Sequence, residues 1–253
     1  MSGLALLSMK NLCLFLLLAS SILAMTLASC FAAESSGVTA EDRASLSGRH
    51  YILIHPNGCK LDFDVARPSR QDDNVLLCIP AAFTSRSGGL CGLYACRGEV
   101  SNTSAVDKGM GGAIQFQAGT CKIFDTKNGA SLDDAFVEQL KGSKSSFFQQ
   151  FQIVKDGHAE GFKDKSHLQR RCIATFANEE CAVVESQDNV SFQEFGEDLL
   201  SLGVQNAIYT DMGPYGGGWY RDSKENKIVP IGKSHLLTNR QTNWVVIEKV
   251  LPK

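Results

Sequence analysis

The stretch from Gln205 to Tyr220 contains the residues whose types and spacing best suit chemistry. It begins as an apolar strand pattern, ends on the carboxylate of Asp211, and continues into a glycine-rich loop and an aromatic pair. A charged group at the end of a rigid strand, beside backbone that leaves room for a ligand, is a common arrangement in active sites. The same pattern also fits a flexible hairpin connection in which Asp211 caps a turn.

A basic pair, Arg170 and Arg171, stands at the start of the apolar pattern 171–176. A guanidinium group binds a carboxylate or a phosphate through two parallel hydrogen bonds, so this position suits an anionic substrate. The alternative interpretation is an ordinary charged flank of a buried strand.

Other common catalytic and metal-binding motifs are missing. The sequence contains no Walker loop, no Gly-x-Ser-x-Gly elbow, no His-Glu-x-x-His helix and no dinucleotide fingerprint. Its five histidines are scattered in polar, turn-like contexts, where surface roles are expected. The cysteines after residue 33 lack Cys-x-x-Cys spacing and are odd in number, which predicts neither a zinc site nor a complete disulfide framework. Cys91 and Cys96 either bridge a hairpin or remain free. We therefore expect no metal and no cofactor.

Short strands must position these residues. Alternating or continuous apolar patterns predict strands at 51–54, 61–65, 75–79, 113–116, 121–124, 171–176, 181–185 and 244–247. Another strand leads into Asp211, and a hairpin is predicted to turn at Arg97 and Gly98. Two glycine-rich turns, around residues 88 and 110, separate some of these segments.

Helix signals occur twice. Ser131, followed three residues later by an acidic side chain, begins one amphipathic pattern that Gly142 stops. Ser191 and Glu194 form a capping box before an apolar stripe, and Gly203 ends that helix. Strands outnumber helices without βαβ alternation. The fold class is therefore α+β, a single domain with a mixed, largely antiparallel twisted sheet and a few packed helices.

The N-terminus has the layout of a secretory signal peptide over residues 1–33. Lys10 is the only charge before Glu34, and the apolar run that follows Lys10 ends in Leu-Ala-Ser-Cys30, which resembles the bacterial lipobox. This resemblance implies lipidation of Cys30 and an exported lipoprotein, anchored to a membrane in the bacterial envelope, in the periplasm or on the cell surface. The alternatives are ordinary cleavage after Ala32 and a transmembrane helix.

The remainder divides into a tether or short helix at 34–48 and one domain at 49–253. No Pro/Ser/Gly linker or charge block interrupts that domain. The formal net charge is −2, and no run of lysine and arginine occurs, so a nucleic-acid partner is not expected.

The order of elements from 75 to 248 resembles the phosphodiester glycosidase family. The resemblance depends on a strand that opens with Arg171, a hairpin, a capped helix, and the Asn-Ala-Ile-Tyr-Thr-Asp-Met-Gly segment that ends near Gly213. Ala81-Ala82-Phe83 and a glycine-rich hairpin occupy the matching upstream places. The sequence departs from the family pattern at Pro80, Met212 and Pro214, which replace an asparagine and two glycines.

The resemblance implies hydrolysis of a sugar 1-phosphodiester, so the expected partner is a carbohydrate or sugar-phosphate substrate. It assigns Arg171 to the phosphate and Asp211 to the sugar, as nucleophile, base or stabiliser of an oxocarbenium ion. Asp222 is a candidate second carboxylate or a turn residue. The candidate substrate-binding residues are Thr84, Gly213, Trp219, Tyr220, Arg221 and Asn243.

Two other functions remain open from the sequence. The first is a non-catalytic lipoprotein that binds glycan or peptidoglycan on the same scaffold, which the altered Asp-Met-Gly-Pro loop favours. The second is a structural surface lipoprotein, in which the region around Asp211 would be packed shut.

Overall fold

Strands dominate the computed structural model, which describes residues 36–85, 87–101, 105–233 and 235–250. With 44% strand and 13% helix, the fold class is α+β, as predicted. The described strands, in chain order, are β1 Gly37–Ala44, β2 His50–Asn57, β3 Lys60–Asp64, β4 Val75–Pro80, β5 Tyr94–Cys96, β6 Glu99–Val100, β7 Gly112–Gln117, β8 Thr120–Asp125, β9 Ser146–Gln150, β10 Gln152–Lys155, β11 His158–Ala159, β12 Arg171–Phe176, β13 Cys181–Ser186, β14 Val204–Tyr209, β15 Gly218–Asp222, β16 Lys227–Ile231 and β17 Trp244–Glu248.

These strands form two sheets. The larger sheet has the order β11-β10-β14-β12-β13-β2-β1-β15-β4-β17-β3, and β16 pairs with β15 outside that path. The smaller sheet has the order β6-β5-β9-β7-β8. Within the described residues, β1 and β15 pair in parallel and the other named pairs are antiparallel. The prediction of a largely antiparallel mixed sheet is therefore confirmed, but its strands are divided between two sheets.

Two α-helices cover the outer faces of these sheets. α1 spans Asp134–Ser143 and α2 spans Phe192–Ser201. Buried side chains of the two sheets, among them Leu77, Ile114 and Phe148, fill the space between the sheets. A second cluster joins α2 to the far face of the larger sheet, and a third joins α1 to the smaller sheet. The layers therefore run helix, sheet, sheet, helix.

The ends of both helices show how local sequence determines them. Ser191 and Glu194 form the predicted capping box, and Gly203 follows α2 with φ +91°. α1 differs from the prediction, because Asp133 rather than Ser131 caps its start and the left-handed Lys144 ends it after Gly142. Within the part of the chain that the structure describes, no helix is long and apolar enough to cross a membrane.

Two segments differ from the sequence interpretation. The predicted tether or short helix at 34–48 contains β1, which pairs with β2 along its whole length. β1 is buried at Gly37 and Val38 and exposed from Glu41 onwards. Its partner β2 supplies the hydrogen bonds, so apolar periodicity is not needed there. The glycine-rich loop after residue 211 is short and continues into the hairpin β15–β16.

The predicted signal peptide and the predicted lipidation site Cys30 lie outside the described residues. The described cysteines at 59, 78, 91, 96, 121, 172 and 181 are all free thiols.

Candidate functional site

Three strand ends meet at one edge of the larger sheet and bring Asp211 beside Arg171. β12 and β14 are antiparallel neighbours, so the first residue of β12 lies next to the last residue of β14. The Thr210 amide donates to the carbonyl oxygen of Arg171 at 3.1 Å, and the Asp211 amide donates to that of Ala81, just after β4, at 2.7 Å. The forty residues between Arg171 and Asp211 thus return the chain to its starting edge.

The Asp211 carboxyl group is held in a nearly closed site. The residue is 4% exposed, and Oδ2 accepts a hydrogen bond from the Thr84 amide at 3.1 Å. Burial raises the pKa of this carboxyl group to about 7, although the backbone amides of Thr84 and Met212 and the charge of Arg171 oppose the rise. A carboxyl group with such a pKa donates and accepts protons near neutrality.

Arg171 is fully buried and paired with a residue that the sequence interpretation missed. Its Nε donates to Oε2 of Glu185 at 2.6 Å, and its Nη2 donates to the carbonyl oxygen of Gly216 at 2.8 Å. Nη1 is buried and has no hydrogen-bond partner among the residues that the structure describes. The predicted two-bond contact of this guanidinium with a phosphate is therefore not available in the described arrangement, because Glu185 occupies one edge of the fork.

Glu185 is itself 2% exposed and is satisfied on both oxygens. Its Oε1 accepts from the Gly232 amide and from Nε2 of Gln169, each at 3.0 Å. Glu185 lies opposite Arg171 in the β12–β13 hairpin. The turn of this hairpin, around Asn178, sets the register, so the pairing could have been found by counting outward from that turn.

Arg170, the other half of the basic pair, has a structural role. It is 2% exposed, stacks over the ring of Phe192 at 3.7 Å, and donates to the carbonyl oxygens of Ser166 and Val190. Its hydrogen bonds fix the chain that enters β12. The charge is thus an anchor for the site edge, as the alternative interpretation of the basic pair held.

A polar network supports Thr84 from the side away from Asp211. The Thr84 hydroxyl donates to Oε1 of Gln241 at 2.6 Å and accepts from Nδ2 of Asn243 at 3.3 Å. Oδ1 of Asn243 accepts from the Ala82 amide at 2.7 Å, and Asn243 is fully buried. Asn243 and Gln241 therefore hold the backbone that donates to Asp211, and Gln241 was not predicted.

A cavity of about 250 Å³ opens beside the loop that follows Asp211. Gly213, which has φ +76°, begins the turn that shapes its wall. Lys233 also lines the cavity and donates through Nζ to the carbonyl oxygen of Gln187 at 2.7 Å. The remaining lining residues are Leu168, Gln169, Asn189, Met212 and Gly216.

A larger cavity of about 600 Å³ lies around Phe151, Gln152 and Lys155 and includes none of the predicted site residues. Because Met212 and Gly213 line the smaller cavity directly after Asp211, we take the smaller one as the candidate substrate site.

Four predicted site residues lie elsewhere, because β15 is an internal strand of the larger sheet rather than a loop. Trp219 is fully buried against Cys78 and Trp244. Tyr220, 8% exposed, packs into the cluster between the sheets. These two rings form core contacts and do not line the cavity beside Gly213.

The polar residues of β15, Arg221 and Asp222, make contacts at the protein surface. Oδ1 of Asp222 accepts from the amides of Lys224 and Glu225 at 2.8 and 3.0 Å, which makes Asp222 a turn residue and not a second catalytic carboxylate. Arg221 donates to the carbonyl oxygen of Arg70 at 2.9 Å and pairs with Asp73.

The described fold and its strand-edge carboxyl site define a two-sheet α+β domain. No protein-family model matches the sequence, and no curated protein matches it. The fold is similar to that of the zebrafish N-acetylglucosamine-1-phosphodiester alpha-N-acetylglucosaminidase catalytic domain, auto-inhibited by its pro-peptide. That structure matches with a TM-score of 0.57 and 9% sequence identity over 85% of this chain and 83% of that chain. A hypothetical protein from Synechocystis matches with a TM-score of 0.57 and 12% identity over 84% of this chain and 62% of that one. At these identities the likeness is one of fold.

Proposed function

We propose that the protein hydrolyses the bond between the anomeric carbon and the phosphate oxygen of a sugar 1-phosphodiester, in the bacterial envelope. The observation that carries the proposal is the buried Asp211 carboxyl group with a pKa near 7, which directly precedes two residues that line a small cavity, Met212 and Gly213. The fold of the zebrafish glycosidase supports the substrate class.

Asp211 is assigned to the sugar side of the reaction. Because a phosphodiester is already a good leaving group, the bond needs less general-acid help than an ordinary glycosidic bond. The chief requirements are a carboxylate near the anomeric carbon and positive charge or amide donors near the phosphate. The Thr84 amide fixes one oxygen of Asp211, which orients the carboxyl group.

Lys233 is assigned to the phosphate, because it lines the cavity with an exposed side chain whereas Arg171 is buried. Arg171 is a positioning residue that holds the Gly216 carbonyl and contributes positive charge near Asp211. This arrangement revises the sequence-based assignment of Arg171 to direct phosphate binding.

The test measures sugar release from methyl N-acetylglucosamine 1-phosphate diester in water enriched in oxygen-18. Glycosidic cleavage puts the heavy oxygen on the sugar, whereas phosphodiesterase cleavage puts it on the phosphate. We expect label on the sugar, loss of turnover in Asp211→Asn, and unchanged turnover in Asp222→Asn, which alters a carboxylate in a turn. No sugar release by the wild-type protein, or label on the phosphate, would reject the proposal.

Lys233→Ala should raise KM more than it lowers kcat, by roughly tenfold or more, because a charge contact to a bound phosphate is lost. Lys163→Ala, in the wall of the larger cavity, is the matched control. An equal effect of both substitutions would argue against the smaller cavity as the substrate site.

A second candidate function is binding of the same glycan without cleavage. It is favoured by Met212, which lines the cavity and is 7% exposed where the resembled family has a glycine. Calorimetry separates the two functions, because a binding protein would hold the diester with similar affinity in wild type and Asp211→Asn and would release no sugar from it.

A further inference from the structure

Two cysteines from different sheets meet between the layers. Cys121 lies in β8 of the smaller sheet, and Cys181 begins β13 of the larger sheet. Both pack against the cluster that fills the space between the sheets, which also contains Ile123 and Val183, two residues further along each strand. Cys121 is also the neighbour that contributes most to the raised pKa of the Cys181 thiol, which places the two side chains beside one another.

Other described cysteines have different surroundings. Cys78 and Cys172 are buried. The thiols of Cys59 and Cys96 lie near backbone carbonyl oxygens, at 3.4 and 3.7 Å respectively. Cys91 is near the charges of Asp107 and Asp211, whereas Cys96 is near those of Asp64 and Arg97. The hairpin bridge between Cys91 and Cys96 is therefore not the pairing that this packing favours.

The side chains of Cys121 and Cys181 are also reachable, since both residues are only partly buried. A disulfide needs a Cβ–Cβ separation of about 3.8 Å and a sulfur–sulfur bond of about 2.05 Å, so it forms only between cysteines that are close neighbours in the fold.

We propose that Cys121 and Cys181 form a disulfide bond that joins the two sheets when the protein meets an oxidising disulfide such as oxidised glutathione. One cysteine thiolate attacks the glutathione disulfide, giving a mixed disulfide and one reduced glutathione. The second cysteine thiolate then displaces the second glutathione. Two cysteine thiols are oxidised, one glutathione disulfide is reduced, and the two protons end on the released glutathione thiols.

The rate of this exchange rises with pH. The neighbouring Cys121 thiol, together with burial, raises the pKa of the Cys181 thiol well above its ordinary value. Because the thiolate is the attacking species, alkaline solution speeds formation of the bond. The reaction is therefore best followed at mildly alkaline pH.

The test uses the full chain, equilibrated with oxidised glutathione, alkylated with N-ethylmaleimide after denaturation, digested and analysed by mass spectrometry. We expect one linked pair of peptides containing Cys121 and Cys181, with the mass of two hydrogen atoms lost. Oxidation should raise Tm by roughly 5–15 °C, because the bond constrains a long loop in the unfolded chain. Reduction should reverse both changes.

Variants separate this pairing from others. In Cys121→Ser the Cys181 peptide should be alkylated and oxidation should give no gain in Tm, and Cys181→Ser should behave in the mirror-image way. Cys96→Ser is the control and should keep the link. If wild-type Cys121 and Cys181 are both alkylated after oxidation, or either is linked to a different cysteine, the proposal is wrong. That wild-type measurement decides the question even if a serine variant fails to fold.

Discussion

Burial of the Asp211 carboxyl group affects stability as well as reactivity. The ionised form loses most of its hydration in the closed site, and two backbone amides and the charge of Arg171 replace only part of it. The protein therefore holds a group whose charged state is less favourable when folded than when unfolded. Such a group is a common compromise at functional sites.

The stability of the protein should fall as pH rises between about 4 and 7 through this one group. The pKa of Asp211 is raised from 3.8 to about 7, so the folded state binds the proton more tightly and its stabilising effect is lost as the carboxyl group ionises. Asparagine resembles the protonated form. The difference in free energy of unfolding, Asp211→Asn minus wild type, should therefore be up to about 4 kcal/mol more favourable to the variant at pH 8 than at pH 4.

Urea unfolding of both proteins at the two pH values measures this difference. Asp222→Asn serves as the control, since Asp222 lies at a surface turn. If the difference in free energy of unfolding between wild type and Asp211→Asn is the same at both pH values, Asp211 ionises normally and the prediction is wrong.

Glu185 should contribute strongly to stability because it is the anionic partner of the buried Arg171. Glu185→Gln leaves the fully buried Arg171 without an anionic partner, and breaking a buried pair in this way costs about 3–5 kcal/mol. Glu138→Gln removes the exposed partner of Lys141 and should change stability by about 1 kcal/mol or less. Chemical denaturation of the two variants tests the contrast, and similar losses would contradict the buried-pair interpretation.

At the scale of elements, residues close in the chain determine the start of α2, whereas pairing with other strands determines β15. The capping box of α2 is a contact between residues three apart, so it is visible in any sequence window. β15 has only Trp219 and Tyr220 as an apolar core, between glycines and charges. It is a strand because β4, which is distant in the chain, and β16, across a short turn, both supply hydrogen bonds to it.

Gly203 should be required at the end of α2 for its backbone conformation alone. It has φ +91°, and a Cβ added there would meet no atom within 4 Å, so the cost of a substitution comes from the left-handed backbone and not from a clash. Gly203→Ala should lose about 1 kcal/mol of unfolding free energy. Gly142→Ala, in the last turn of α1 and also without a close neighbour, should gain up to about 1 kcal/mol. Thermal unfolding distinguishes the two, and a loss in both would point to packing instead.

At the scale of the whole molecule, the larger sheet that carries Asp211 is packed on both of its faces. The larger sheet is covered by α2 on one face and by the smaller sheet on the other. Its strands are therefore fixed on both faces, which keeps the edge around Asp211 rigid. A rigid edge is what a preorganised site requires.

Membrane attachment is predicted to depend on one residue outside this layered domain. If Cys30 is acylated, Cys30→Ser in a bacterial host should move the protein from the detergent-soluble membrane fraction to the soluble fraction and stop incorporation of labelled palmitate. The wild-type protein is the control in the same fractionation. Continued labelling of the serine variant would refute the lipobox interpretation.

The sequence by itself determined the features that depend on neighbours along the chain. The α+β class, the capped helix α2 and the strand that leads into Asp211 all follow from turns, caps and apolar periodicity. The nearness of Asp211 and Arg171 also followed, since a hairpin and a returning helix bring the chain back to one edge.

Only the tertiary structure decided which polar groups remain free to act. Asp222, Arg221 and Arg171 are charged residues of similar promise in sequence, but the first lies in a turn, the second reaches surface partners, and the third is neutralised by Glu185. Burial and hydrogen bonding depend on strands separated by a hundred residues or more, such as those that bring Thr84 to Asp211. The pKa of Asp211 is a property of that assembled surrounding, because desolvation is produced by packing and not by the adjacent residues in the chain.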